Sequence, residues 1–225
     1  MQGPADCVVR WLGTVPYRDA LVMQREVHDR VVAGGVPHTI LLVEHPPVYT
    51  LGRRGGRECF RTRPEELVRL GAEVVETDRG GLVTFHGPGQ LVAYPILHLE
   101  RMRLGLGEYV AALLGAIVAA LGRHGVDGTA DLARPGVFVQ GRKIASVGVR
   151  RSRGVTTHGC AVNLSTDLAW FEHIDACGLA GIAATSVLAE TGRGVEVRGF
   201  GEELTSMLAS RLGLSTQDAW REEAR

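Results

Sequence analysis

The stretch Arg79-Gly80-Gly81-Leu82-Val83-Thr84-Phe85-His86-Gly87-Pro88-Gly89-Gln90 decides how this chain folds. Residues 78–81, Asp-Arg-Gly-Gly, make a turn, because aspartate and glycine supply the backbone conformations that tight turns require. Residues 82–86 read as a strand, Gly87-Pro88-Gly89 breaks it, and residues 90–97 read as the next strand. Strands divided by glycine-rich breaks belong to a sheet. The thirty glycines of the chain agree, since they serve tight turns and close backbone approaches better than a helical bundle.

Working outward, strands and helices alternate. Upstream, residues 8–12 read as a first strand and residues 17–33 as an amphipathic helix with Ala20, Leu21, Val27 and Val31 near one stripe. Gly34-Gly35 stops that helix. Residues 39–43 are a continuous apolar run, the pattern of a strand buried on both faces. Residues 44–53 read as a loop, because Pro46 and Pro47 exclude the segment from a central strand. Residues 64–70 form a short helix opened by Pro64, with Glu65 and Glu66 in its first turn, and 72–76 a strand. Downstream, residues 108–124 are the strongest helix, closed by Gly125. A meander follows: strands 136–139, 144–149 and 155–164. Residues 167–171 make one helical turn, 177–181 a glycine-spaced loop and 201–212 a closing helix. No repeat or linker divides the chain. The expectation is one α/β (α+β) domain over residues 1–215, a mixed sheet flanked by helices, with a charged tail at 216–225.

Composition narrows the function. At 225 residues with 45% hydrophobic content, the chain can bury a substantial core in one domain. Charges balance at 25 against 25, so no basic field points to nucleic acid. The N-terminal Met1-Gln2-Gly3-Pro4-Ala5-Asp6 lacks a basic region followed by an apolar run. The longest apolar stretch, 110–121, falls short of the roughly 20 residues that cross a bilayer. Cys7, Cys59, Cys160 and Cys177 show neither C-x-x-C pairing nor zinc spacing, so no metal site is expected. Free thiols in a reducing, cytoplasmic setting follow. The chain also holds 24 arginines and one lysine, Lys143, among its 25 basic residues. Codon bias accounts for the arginines. The exception marks a place that needs a titratable amine, because arginine cannot give up its proton.

Three glycine-rich loops carry reactive side chains: 79–90, 141–148 (Gly-Arg-Lys-Ile-Ala-Ser-Val-Gly), and 158–163 (His-Gly-Cys-Ala-Val-Asn) with Cys177-Gly178 beyond it. Such loops bring backbone N–H groups close to phosphates or oxyanions. None matches a P-loop or Gly-x-Gly-x-x-Gly after a strand. These segments, with His45-Pro46-Pro47-Val48-Tyr49-Thr50-Leu51-Gly52-Arg53, resemble the lipoyl(octanoyl) transferase family over residues 10–190, in the correct order. The resemblance implies the fold of the biotin/lipoate protein ligase catalytic domain. It implies an acyl-thioester cysteine at Cys177 and a lysine that lowers its pKa at Lys143. It places substrate contacts on Arg79, Gly80, Gly81, Leu82, Val83, Thr84, Phe85 and His86, on Ser146, Val147 and Gly148, and on Gly159, Cys160 and Ala161. Two departures stand out: Leu82 where glutamine is common, and Cys160 where a small or apolar residue is usual.

The implied partners are octanoyl-acyl carrier protein as donor, and lipoyl domains of 2-oxoacid dehydrogenase E2 subunits and the glycine cleavage H protein as acceptors. No cofactor is implied, and the enzyme is expected to be a monomer. Backbone N–H groups near Ser146 to Gly148 are the expected oxyanion donors. Cys160, flanked by Ala161 and Val162, reads as packing. His45, His86 and His158 read as hydrogen-bonding or pocket-lining residues, since no two have helical ligand spacing and no carboxylate accompanies them. Arg142, Arg150, Arg151 and Arg153 form a basic run, either a solvated turn or a dock for an acidic carrier. Three rivals remain at this point: an ATP-dependent ligase of the same fold, a non-catalytic module that binds lipoyl domains, and a thioester hydrolase.

Overall fold

The computed structural model describes residues 5–175 and 182–218. Its larger sheet has eight strands: β1 (Ala5–Thr14), β2 (His38–Glu44), β6 (Gln90–Ile96), β7 (Thr129–Asp131), β8 (Gly136–Val139), β9 (Arg142–Ser152), β10 (Val155–Asn163) and β11 (Leu214–Asp218). Their order is β11-β1-β2-β6-β10-β9-β8-β7. β1 runs parallel to both β11 and β2, and the remaining pairs are antiparallel. A smaller sheet has the order β4-β3-β5, from β3 (Val48–Leu51), β4 (Glu73–Glu76) and β5 (Val83–His86). This is the expected mixed sheet.

Side-chain alternation sorts the core. Ile40 and Leu42 of β2, with Leu91 and Ala93 of β6, pack on α3 (Leu106–Arg123) and α5 (Val197–Leu212). Leu41, Val43, Val92 and Tyr94 face the other way, onto Ala20 and Val31 of α1 (Tyr17–Ala33). Successive strand residues point to opposite faces, so a continuous apolar run must have a layer on each side. α1 ends at Gly34, whose φ of 76° is the left-handed conformation glycine adopts without Cβ penalty. α3 is apolar and eighteen residues long, longer than its apolar run suggests. It is a core helix, with Tyr109, Leu113, Leu114, Ile117 and Leu121 buried.

Four differences from the sequence reading have local causes. Residues 48–51 are not loop: β3 is the middle strand of the small sheet, and the two prolines stop just short of it. α5 starts at residue 197, not 201. Glu196 caps it by accepting from the N–H groups of Arg198 and Gly199, and the helix-weakening Gly201 sits where a Cβ would come within 3.0 Å of Leu42 Cδ1. β11 crosses the boundary expected after residue 215, pairing with Ala5–Val9 of β1. Two short elements, β7 and α4 (Val187–Thr191), carry too little periodicity to be read from sequence. α2 (Pro64–Arg69) and two 3₁₀ turns, Arg57–Cys59 and Leu168–His173, cover the small sheet. There Phe85 stacks on Trp170, with ring centroids 5.3 Å apart.

Candidate active site

A cleft opens between the two sheets, with an empty volume of about 450 Å³. β5 alternates across its wall: Thr84 and His86 face the cleft, while Val83 and Phe85 are buried in the small-sheet core. Arg79, Gly80 and Gly81 of the preceding turn, Ser146, Val147 and Gly148 of β9, and His158, Gly159, Cys160 and Ala161 of β10 complete that wall. Leu82, Val83 and Phe85 do not line it. Leu82 packs against the small-sheet core, and its carbonyl accepts from Arg79 Nη2 at 2.6 Å. A second, narrow space is lined by Lys143, Gln90, Asn163 and Phe171, with Ile182 and Ala184. It shares Thr84, Ser146 and Ala161 with the first, so the two spaces adjoin.

Arg79 is a builder of the site. Its guanidinium is buried and donates to Thr50 Oγ1 (3.1 Å from Nε), to the Thr50 carbonyl, and to the carbonyls of Gly80 (2.9 Å) and Leu82 (2.6 Å). It staples the 79–82 turn to β3. Gly52 makes this possible: a Cβ there would sit 2.3 Å from the Gly81 carbonyl oxygen.

His45 and His86 are neutral. His45 Nδ1 lies 2.6 Å from the Val15 carbonyl, which can only accept, so Nδ1 carries the hydrogen and Nε2 accepts from Tyr94 Oη at 2.7 Å. Burial pulls its pKa down to about 4. His45 therefore stands behind the cleft, holding Tyr94 and stacking edge-on to Tyr17. His86 stacks on Tyr17 with ring planes 9° apart. Burial, then its neighbour His45, pulls its pKa to about 3. Its Nδ1–H donates to Gln90 Oε1 at 2.8 Å, Gln90 Nε2 donates to Asn163 Oδ1 at 2.9 Å, and Asn163 Nδ2 donates to the Thr185 carbonyl at 2.9 Å. This chain crosses the floor from β5 to the segment beside Lys143.

His158 corrects the expectation that no carboxylate accompanies these histidines. Its Nε2 is 2.7 Å from Asp78 Oδ1. That bond, ahead of other causes, lowers the Asp78 pKa to about 2. Burial outweighs Asp78 on the imidazole, whose pKa is lowered. The His158 backbone has φ 57°, rare for a residue with a Cβ. Its N–H is taken by Gln24 Oε1 at 2.9 Å. This kink lies where Pro95 interrupts the ladder of β6 and Gly159 presses on it: a Cβ at Gly159 would lie 2.0 Å from the Ala93 carbonyl oxygen. Gly159→Ala is therefore expected to destabilise the fold by about 2–3 kcal/mol, read as a lower denaturant midpoint with an unchanged m-value.

Lys143 is buried and held by its backbone. Its N–H donates to the Ala183 carbonyl at 2.8 Å, and its carbonyl accepts from Thr185 N–H at 2.9 Å. Its Nζ lies 5.5 Å from the Phe138 ring centroid, and a Cβ at Gly136 would come within 2.7 Å of its Cε. Cys177 lies outside the described residues. Asp175 before it donates its N–H to the Cys59 carbonyl at 2.7 Å. Cys160 is packed in the large core, and burial pushes its thiol up to about 12, which suits packing and not nucleophilic chemistry. The backbone donors expected at 146–148 are corrected at Val147, whose N–H is spent on the Pro135 carbonyl at 3.0 Å. Of the basic run, Arg142 pairs with Glu190, Arg150 with Asp78 and Arg153 with Asp29. Sequence reading missed Tyr17, Val92, Tyr94, Gln90, Asn163 and Asp78, since nothing local marks a residue as facing a groove built from distant strands.

A mixed sheet carrying a deep groove with a buried lysine at one end defines the class: a catalytic domain of the lipoate and biotin protein ligase fold. Solved structures share it. A lipoate protein ligase from Thermoplasma acidophilum with bound lipoic acid superposes with TM-score 0.74 over 97% of this chain and 88% of that one, at 13% identity. A biotin protein ligase from Aquifex aeolicus gives TM-score 0.53 over 91% and 68%, also at 13% identity. Residues 16–209 match the Lipoyl protein ligase A/B catalytic domain. The chain belongs to the octanoyltransferase family: it is 45% identical, over 94% of its length and 91% of theirs, to the octanoyltransferase of Syntrophobacter fumaroxidans. It is also 45% identical to the mitochondrial octanoyl-[acyl-carrier-protein]:protein N-octanoyltransferase of Xenopus tropicalis, over 84% and 80%.

Proposed function

We propose that this chain moves an octanoyl group from octanoyl-acyl carrier protein to a lysine of lipoyl domains, through a thioester on Cys177 with Lys143 handling the proton. The observation that carries this reading is the pair of adjoining spaces between the sheets, one of which Lys143 lines. Residues on both sides of the Cys177 segment, Phe171 before it and Ile182 and Ala184 after it, border the Lys143 space.

Chemistry then runs as two acyl transfers, a thioester exchange followed by an aminolysis. The Cys177 thiolate attacks the carrier thioester carbonyl, the carrier thiolate leaves and takes up a proton, and octanoyl-Cys177 remains. Exchanging one thioester for another is close to balanced in energy, so no nucleotide is needed. The acceptor lysine, as a neutral amine, attacks next. It loses a proton to Lys143, and the Cys177 thiolate departs to leave an amide. Burying six methylenes at about 0.8 kcal/mol each supplies roughly 5 kcal/mol to hold the chain. The E2 lipoyl domains and the glycine cleavage H protein are the proposed acceptors. The chain through β11 acts as one catalytic domain, working as a monomer in a reducing compartment that makes the acyl carrier donor.

The ATP-dependent ligase of the same fold is the competing reading, favoured by the structural neighbours. Intact mass spectrometry separates the two. Mixing the enzyme with octanoyl-acyl carrier protein alone is expected to add one octanoyl group, mapped to the Cys177 peptide, and adding a lipoyl domain discharges it. Efficient octanoylation from free octanoate and ATP, with no acyl-enzyme from the carrier, would overturn the proposal.

A further inference from the structure

We infer that the His158 imidazole is the end wall of the acyl groove and so sets the chain length it accepts. The inference rests on the octanoyl-transfer reading and deepens it.

A third cavity, with about 680 Å³ of empty volume, lies beyond the groove. Among the described residues, His158 alone borders both it and the groove. Its chain neighbours divide the same way: Thr157 borders the outer cavity and Gly159 the groove. His158 is thus the one described side chain that the two spaces have in common.

That side chain is placed at the far end from the chemistry. His158 sits opposite Val149 on β9, and Lys143 is on the same strand at position 143. At about 3.4 Å per residue, 143 to 149 spans roughly 20 Å. The seven carbon–carbon bonds of an extended octanoyl chain, each advancing about 1.25 Å, reach roughly 9 Å. Room remains for the thioester at one end and the ring at the other.

The wall is held on three sides. Asp78 receives His158 Nε2 at 2.7 Å, Arg150 in turn pairs with Asp78, and Gln24 fixes the backbone N–H at 2.9 Å. The left-handed backbone at His158 aims the ring where an ordinary strand residue would not point. A rigid wall matters because burial alone favours the wrong substrate. In an open tunnel each added methylene strengthens binding about fourfold, so longer chains would win. A wall reverses that sign, since a longer chain must push aside a ring tied to an ion pair.

The test compares eight-, ten- and twelve-carbon acyl carrier proteins as donors to a lipoyl domain, scored by kcat/KM. For the natural enzyme, transfer is expected to fall with each two-carbon step. A rise with length overturns the wall. Loss of transfer with the eight-carbon donor itself would instead sink the octanoyl-transfer reading. His158→Gly removes the ring at a backbone angle glycine prefers, and is expected to raise the twelve-to-eight-carbon ratio by about tenfold or more. His158→Asn, shorter and tolerant of the same angle, is expected to shift the ratio the same way if the glycine variant does not fold. A folded variant with the natural ratio, or one inactive with all three donors, refutes the inference.

Discussion

Replacing Lys143 with arginine is expected to lower octanoyl transfer by a factor of about 10²–10⁴ while leaving the fold intact. Charge is preserved, so the loss isolates two other properties. Arginine cannot accept or release a proton in a protein, and the acceptor amine must pass its proton somewhere as the amide forms. Space is the second property. The lysine stem runs against Gly136, where even a Cβ would come within 2.7 Å of Cε, and its Nζ is 5.5 Å from the Phe138 ring. A planar guanidinium is wider than that stem and settles differently between Gly136 and Phe138, a local change that leaves β8 in place. The measurement is single-turnover transfer from octanoyl-acyl carrier protein to a lipoyl domain, with thermal unfolding run in parallel. Lys143→Ala separates chemistry from packing: partial rescue by a small amine in solution is expected if the amine is what the site lacks. Arginine-variant rates equal to the natural enzyme's would show that no proton passes through this position. Cys177→Ser is expected to abolish the thioester adduct in the same assay.

Acidification is expected to destabilise the protein before most of its carboxylates titrate. His45 and His86 have folded-state pKa values of about 4 and about 3, against 6.5 when exposed. The unfolded chain therefore binds protons in a range where the folded one does not. Both contributions are full above pH 6.5, shrink as pH falls below it, and are exhausted only below the folded values. Each histidine removes roughly 1.4 kcal/mol of stability per pH unit across that window. Two together take a large share of the ~5–15 kcal/mol that holds a domain folded. Asp78, with its pKa lowered to about 2, adds a further loss only below about pH 4. Urea unfolding at about pH 7 and pH 4.5 measures this. His86→Gln, which cannot charge, is expected to flatten the dependence by one histidine's share. Stability that holds level between the two pH values would mean that these rings are not buried as described.

Much of the fold was legible in the linear order of residues. The apolar run at 39–43 demanded a strand covered on both faces, and β2 is covered by α1 on one side and by α3 and α5 on the other. The Gly34 stop and the turn at 78–81 were readable because left-handed glycines and aspartates act locally. The failures were where local rules yield to tertiary context. Pro46 and Pro47 spoke against a strand, yet β3 begins one residue later. Pro95 sits inside β6, in the middle of the sheet, because β10 kinks at His158 and leaves the ladder there.

The chemistry divides in the same way. Residue identities alone marked Lys143, the single lysine among 24 arginines, and the glycine-bearing segments that resemble octanoyltransferases, because scarcity and motif are properties of the chain itself. Which residues share a groove was decided only by folding. Alternation along β5 sent Thr84 and His86 to the cleft and Phe85 to the core. The pairing of β9 with β10 put His158 at the end away from Lys143. Asp78 met His158 across 80 residues of sequence. Side-chain direction and long-range contact depend on register between strands far apart in the chain, and register exists only once the sheet is assembled.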